Sequence, residues 1–432
     1  MAFSPNQTEA ATQAPYIRYV LMDALRGFAL LGILWINIQV FADEINSVFN
    51  VQIAIQPFLT DYLSSRFSDD IIEGTMRGLF SILFGASAII FLSEVKLASQ
   101  GLLIVDRYYR RALLLIAFGI IHAYVLLWPY DVLFVYGIIS MLLFPIRKMA
   151  PRYLFLLGII VLMMGDWQLP DDSSAANQSM EVTQTMDEDE SVEIYLPASQ
   201  MNSNSDAVIE ANSLQASSRT AGLVLPSYAN WFQGNIDTVI YQHAEKLYKD
   251  YIFDVGGMMI IGIALLKTGV LLGSRSQLFY FLMMLLGYGL GYLVRDPVVY
   301  TQVASMLNFK DSMDESLLGY NLGRLIMSLG HIGLIACLLN IKWFAFLIHM
   351  LSAVGRLTLT NYIMQTVLCL LVFYVFSGYL FAWFTFIKVL YILFAICSIQ
   401  IVCSLLWLKY FKFGPLEWLW RQLIYGKGSN SA

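Results

Sequence analysis

Long apolar runs interrupted by single polar residues set the pattern of this chain. Ten stand out, over residues 19–41, 71–92, 112–129, 131–147, 152–168, 252–273, 277–294, 322–341, 356–378 and 382–408. About 20 apolar residues suffice to cross the hydrocarbon core as a helix, which satisfies its own backbone there without closing a barrel. The pattern predicts an all-α fold, a polytopic membrane bundle of about ten transmembrane helices. Two more stretches have helical periodicity without spanning length. Trp231, Phe232, Ile236, Val239, Ile240, Leu247 and Tyr251 predict an amphipathic helix on the outer face, and residues 342–351 a second one at the inner face.

Orientation follows from Lys and Arg, which stay on the cytoplasmic side of short loops. Arg107, Arg110 and Arg111, then Arg147, Lys148 and Arg152, then Lys267 and Arg275, then Lys342, and finally Lys409, Lys412, Arg421 and Lys427 share one side if both termini are cytoplasmic. Residues 1–16 lack the basic start of a cleaved signal, so the first helix is expected to insert and stay. The layout is a cytoplasmic tail (1–18), a membrane half (19–169), an acidic extracytoplasmic loop (170–251), a second membrane half (252–408) and a cytoplasmic tail (409–432). The halves show no convincing internal repeat. Residues 171–221, poor in aromatics and rich in acidic and hydroxyl side chains, have the composition of a disordered segment.

Composition agrees: 58% of the 432 residues are hydrophobic and 13% charged, with mean hydropathy +0.64, far from a soluble domain. The expected location is the inner (plasma) membrane of the cell, multi-pass and surrounded by lipid. The net charge of -5 arises in the loop, where thirteen acids between Pro170 and Tyr251 oppose Arg219, Lys246 and Lys249. No basic stripe points to nucleic acid, and neither a Walker A loop nor a GxSxG elbow with triad partners is present. Cys337, Cys369, Cys397 and Cys403 fall within predicted helices without CxxC or His at ligand spacing, so no metal site is expected.

Charged groups inside the runs carry the candidate chemistry. An Asp or Arg at a helix centre costs roughly 2.5 to 3.5 kcal/mol on insertion scales, so such groups mark functional paths or pair with one another. In the first run Asp23, Arg26 and Asn37 share one helical face; Asp23 and Arg26 can also simply anchor the helix end. Glu73 and Arg77, four apart, can pair with each other. Asn321, Arg324, Ser328 and His331 fall on one face of the eighth run, and His122 lies at similar depth in the third. Thr358, Asn361, Tyr362 and Gln365 form a stripe that interhelical hydrogen bonding alone would explain. Sorted by depth, these groups sketch a polar path: Asp23, Arg26, Arg356, Asn361 and Gln365 inside, the two histidines midway, and Asn37, Glu73, Arg77 and Arg324 outside.

Three blocks resemble the YeiB-like bacterial membrane proteins of unassigned activity. They are DALRGFALLGILWIN from Asp23; EGTMRGLFSILFGAS from Glu73 with RRALLLIAFGIIHAYVLLWPYDVLFVYG from Arg110; and GRLTLTNYIMQT from Gly355 with FGPLEWLWRQLIY from Phe413. YeiB-like proteins are in turn similar to transmembrane acyltransferases, among them the lysosomal heparan glucosaminide N-acetyltransferases and bacterial glucan-modifying enzymes. The resemblance implies a bundle that moves an acyl group from cytoplasmic acyl-CoA to an outside acceptor. The catalytic Asn that ends the first helix of the heparan enzymes matches Asn37. Two departures stand out: no His follows Asn37 about eleven residues on, as it does there, and Thr75 stands where YeiB-like sequences often have Lys.

The reading is acyl transfer to a hydroxyl or amine of a glycan, lipid or small molecule. The catalytic candidates are His331, His122, Asn37, Arg324 and Glu73. Either His can serve as base; His331 is favoured because it shares a face with Arg324, and Asn37 and Arg324 would stabilise the oxyanion. Arg26, Arg107, Arg110, Arg111 and Arg356 would hold the phosphates of the donor, acyl-CoA, with acetyl-CoA the simplest case. The rival is a transporter or flippase for a small anionic or sugar-like solute; a scaffold without turnover is the third option. Acceptor, acyl chain and assembly, a homodimer included, stay open.

Overall fold

The computed structural model describes residues 5–48, 71–92, 102–165, 228–295, 317–375 and 386–425, with side chains from 20–42, 71–92, 102–165, 235–295, 320–374 and 388–425. Every element in them is helical. In chain order these are α1 (Pro5–Val48), α2 (Thr75–Phe91), α3 (Leu102–Tyr124), α4 (Leu133–Leu143), α5 (Pro151–Met164), α6 (Tyr228–His243), α7 (Ile252–Lys267), α8 (Gln277–Arg295), α9 (Leu317–Leu339), α10 (Ala345–Arg356), α11 (Thr358–Leu370), α12 (Phe386–Tyr410) and α13 (Pro415–Tyr425). Helices thus lie over all ten apolar runs. Four are long and apolar enough to cross a membrane, at Val20–Ala42, Gln277–Arg295, Tyr320–Leu339 and Lys388–Tyr410. Among the described residues the pair Lys342–Arg356 and Thr358–Tyr374, bent by 85°, has the apolar length of a fifth when the two are taken as one broken span. The chain is an all-α membrane protein.

The third run differs from expectation. Its helix starts ten residues early, at Leu102, and ends at Tyr124 rather than near 129. Pro129 cannot continue a helix, and Leu127 takes a left-handed φ of 53° in the turn that follows. This turn brings Asp131 into the bundle. The expected outer amphipathic helix coincides with α6, and the expected inner one with Lys342–Phe344 and α10, where Ile348, Leu351 and Val354 are buried while Trp343 is 94% exposed. The expected disordered loop lies outside the described residues.

α7 occupies the centre: its residues from Asp254 to Leu266 are all buried, and it packs on α2 and α5. α8 buries Tyr280, Gly287 and Gly291: the glycines meet Gly330 and Met327 of α9, the Tyr280 hydroxyl donates to the Val270 carbonyl, and Leu278, Leu285, Leu286 and Leu290 stay exposed. Two motif glycines set the crossing of α1 and α10. A methyl on Gly27 would collide with the Leu351 carbonyl, and one on Gly355 with that of Asp23, so only glycine lets these backbones touch. The polar stripe on α11 joins it to α12: Asn361 donates to Ser404 at 2.9 Å, Gln365 to Gln400 at 3.1 Å, and Gln400 back to the Asn361 carbonyl at 2.9 Å. Interhelical bonding is therefore what these groups do.

Candidate functional site

A cavity of about 470 Å³ lies beside Asp23 of α1, between α1, α2, α3, α4, α10, α11 and α13. Arg26, Arg111, Arg356 and Lys412 line it against Asp23 and Glu417, which leaves it two positive charges in excess. Both acids are engaged. Asp23 accepts from Arg26 at 2.7 Å, and Glu417 accepts the Thr360 amide at 3.0 Å and its hydroxyl at 2.5 Å, capping the start of α11. Arg26 also reaches Ser87 at 2.7 Å. Arg111 sits among the rings of Phe84, Phe91 and Trp420, 5.8, 5.4 and 4.8 Å from their centres. No described carboxylate pairs with it. It is a guanidinium held by aromatic faces with its charge uncompensated.

The other two predicted donor-site arginines lie elsewhere. Arg107 stacks over Tyr425 at 4.9 Å, and Arg110 forms a surface pair with Asp106 at 2.9 Å. Neither lines the cavity.

Beyond the cavity's Tyr362, Leu115 and Leu133 lies a buried relay. His122 Nδ1 is 2.7 Å from Asp131 Oδ1, and His122 Nε2 is 2.8 Å from Thr366 Oγ1. The Phe134 amide donates to Asp131 Oδ2 at 2.8 Å and fixes the carboxylate. The imidazole and carboxylate are fully shielded from solvent. The imidazole is thus held between a carboxylate on one nitrogen and a hydroxyl on the other.

A second network lies on the Arg324 side. Arg324 Nη2 donates to both Asp254 oxygens at 2.8 and 3.0 Å, and Arg77 donates to the same carboxylate at 3.0 Å. Arg324 also holds Asn321 at 3.0 Å, and its guanidinium lies 4.8 Å from the Tyr320 ring centre. The Tyr320 hydroxyl donates to Glu73 at 2.8 Å, and Arg295 approaches Glu73 at 3.3 Å. Gly74 (φ 68°) lies so close to Arg324 that any side chain there would displace it. Glu73 and Arg77, expected to pair with each other, take different partners. Ser81 bridges this network to the cavity: its Oγ is 2.7 Å from the hydroxyl of Tyr136, a cavity residue, and donates to the Arg77 carbonyl at 2.9 Å.

His331 faces α2, as does Arg324, but takes no part in that network. The Tyr288 hydroxyl meets its Nδ1 at 2.7 Å, and Nε2 lies 3.3 Å from Thr75 Oγ1 and from the Ile71 carbonyl. No described carboxylate orients it. Asn37, half-buried near the far end of α1, belongs to neither network. The sequence reading missed Asp131, Thr366 and Asp254. A carboxylate inside a block otherwise apolar, WPYDVLF for Asp131 and IFDVGGM for Asp254, was the available signal.

Residues 265–427 match a family model described as "Protein of unknown function (DUF418)". The chain is 27% identical to "Uncharacterized protein YeiB" of Escherichia coli (strain K12), over 94% of this chain and 96% of that one. It is 25% identical to "Uncharacterized protein YxaH" of Bacillus subtilis (strain 168), over 94% of both. A protein of Bacillus acidopullulyticus, "Uncharacterized 39.9 kDa protein in amylase 3'region", is 28% identical over 94% of this chain and 93% of its own. No solved structure matches. These relatives align over nearly their whole lengths, so the chain is similar from end to end to the YeiB-like proteins, which carry no assigned activity.

Proposed function

We propose that the chain is a membrane acyltransferase that draws an acyl group from cytoplasmic acyl-CoA and delivers it to a hydroxyl or amine across the plasma membrane. One observation carries this reading: Tyr362 lines the basic cavity and packs on His122, 5.0 Å between ring centres, so an activated imidazole lies one side chain beyond an anion-binding chamber. Arg111, Arg26, Arg356 and Lys412 hold the donor's phosphates. His122, oriented by Asp131, is the base; His331, bonded on both sides without a carboxylate, is not. Arg107 and Arg110 fall out of the donor site. Arg324 is committed to Asp254, which removes it as an oxyanion donor.

The test is acyl-CoA binding and turnover by the purified chain in detergent. Wild type should bind acetyl-CoA and release CoA, and His122→Asn should bind it equally while losing about 1000-fold or more of the turnover. Equal turnover in His122→Asn would remove the base from the scheme.

Transport of a small anionic solute is the second reading, favoured by the link from the cavity through Tyr136 and Ser81 to Arg77, Asp254 and the half-exposed Glu73. Uptake into vesicles without any acyl chemistry would select it.

A further inference from the structure

The hydroxyl at the end of the relay has a further role. Hydroxyls in helices usually return to a carbonyl three or four residues back. Thr75, Ser81, Ser87 and Thr268 all do so here. Thr366 Oγ1 instead meets His122 Nε2 at 2.8 Å, and the other ring nitrogen is held by Asp131. A hydroxyl on an imidazole that a carboxylate orients is the arrangement that activates an oxygen nucleophile. Among the described residues no other hydroxyl has it: Thr75 reaches His331, but its proton goes to the Ile71 carbonyl at 2.5 Å and His331 lacks a carboxylate.

Position adds to chemistry. Thr366 is one helical turn beyond Tyr362, His122 two turns beyond Leu115, and Asp131 two residues before Leu133; all three reference residues line the cavity. Each limb of the relay therefore starts at the cavity wall. Resting on the acyltransferase reading, we infer that Thr366 Oγ1 is the nucleophile that takes the acyl group from CoA as an ester and hands it to the acceptor in a second step. In the first step Oγ1 attacks the thioester carbonyl, the C–O bond forms and the C–S bond breaks. The Thr366 proton passes to His122 Nε2 and from there to the departing thiolate, giving CoA–SH. In the second, the acceptor's oxygen or nitrogen attacks the ester, loses its proton to Nε2, and Oγ1 leaves as the hydroxyl with that proton returned. No other reactant is needed. Such an ester lets donor and acceptor use His122 one after the other from opposite sides, whereas direct transfer requires both at once in a space that Tyr362 now fills.

The experiment is isotope exchange without acceptor: unlabelled acetyl-CoA, and separately octanoyl-CoA, is incubated with radiolabelled free CoA and the purified full chain in detergent. An acyl-enzyme returns label into acyl-CoA; direct transfer cannot. Wild type should exchange with at least one donor, Thr366→Ser should keep exchange within about tenfold, and Thr366→Val should lose about 1000-fold while still binding the donor. Peptide mass mapping of the wild type, which does not depend on any variant folding, should find the acyl group on Thr366, released by hydroxylamine. Exchange that persists in Thr366→Val, or a wild type that releases CoA from acyl-CoA but neither exchanges nor carries the ester, overturns the nucleophile and leaves the acyltransferase standing. A wild type that neither binds nor turns over either donor overturns both.

Discussion

Tyr362 closes the space between cavity and relay: its ring lies 5.0 Å from that of His122, and its hydroxyl accepts the Val132 amide at 3.3 Å. The ring excludes water from the imidazole, and the hydroxyl ties α11 to the turn that carries Asp131. These two tasks separate by substitution. Tyr362→Phe should lose about 1 kcal/mol, the worth of one hydrogen bond, with catalysis little changed. Tyr362→Ala should lose about 3 kcal/mol or more and let water reach His122, raising acyl-CoA hydrolysis relative to transfer. Thermal unfolding in detergent and CoA release measured side by side decide it; equal losses in both variants would mean that the ring is not the barrier.

Among the described residues Asp254 is the one carboxylate that pairs with both Arg77 and Arg324, so its removal leaves two guanidinium groups without their shared partner inside the bundle. Asp254→Leu should destabilise by about 3 to 5 kcal/mol, because a buried charge loses its partner. Arg324→Leu added to it should recover part of that loss. A double-mutant cycle on unfolding temperature is the measurement, and strictly additive losses would show that the pair is not coupled.

Helical period made part of this legible in advance. Asp23 with Arg26, and Arg324 with Ser328 and His331, were placed on common faces by spacing alone, and the structure keeps them there. The same period turns Arg110 about 100° away from Arg111, and only Arg111 reaches the cavity; Arg107, about one turn before both, stacks on Tyr425 instead. Glu73 and Arg77 misled for a local reason: Gly74 turns left-handed between them, so α2 starts at Thr75 and Glu73 lies outside the helix where a four-residue pair could form. Asp254 is 177 residues from Arg77, and Thr366 is 244 from His122; no local pattern encodes such partners. Thr366 lay one position beyond the polar stripe read on α11.

Orientation can be checked across α7, whose two ends carry exposed residues. Glu245, just before it, and Ser274, just after it, lie on opposite sides of the buried segment. With the basic loops cytoplasmic, Glu245→Cys should react with an impermeant maleimide in intact cells, and Ser274→Cys only after permeabilisation. The reverse labelling pattern would invert the bundle and put the basic cavity outside, beyond reach of cytoplasmic acyl-CoA.

Arg111 and Arg110 are neighbours in sequence with opposite fates, and the contrast tests the donor site directly. Arg111 lines the cavity, caged by Phe84, Phe91 and Trp420 with no described carboxylate beside it, whereas Arg110 points outward to Asp106 with more than half its side chain exposed. A hydrogen bond to a charged group contributes about 1.5 to 3 kcal/mol, so Arg111→Ala should weaken acyl-CoA binding by about 10-fold to 100-fold. Arg110→Ala should leave it unchanged, since exposed ion pairs contribute little. Arg111→Lys should fall between, because a lysine keeps the charge but loses the planar fork that suits phosphate and stacks on rings. Calorimetric titration of acetyl-CoA and of CoA alone, at low and high salt, gives the comparison, and the Arg111 contribution should shrink as salt rises. Equal affinity in the Arg111 and Arg110 variants would take the anion out of this cavity, and the half-exposed Glu73 end of the second network would become the place to look for a ligand.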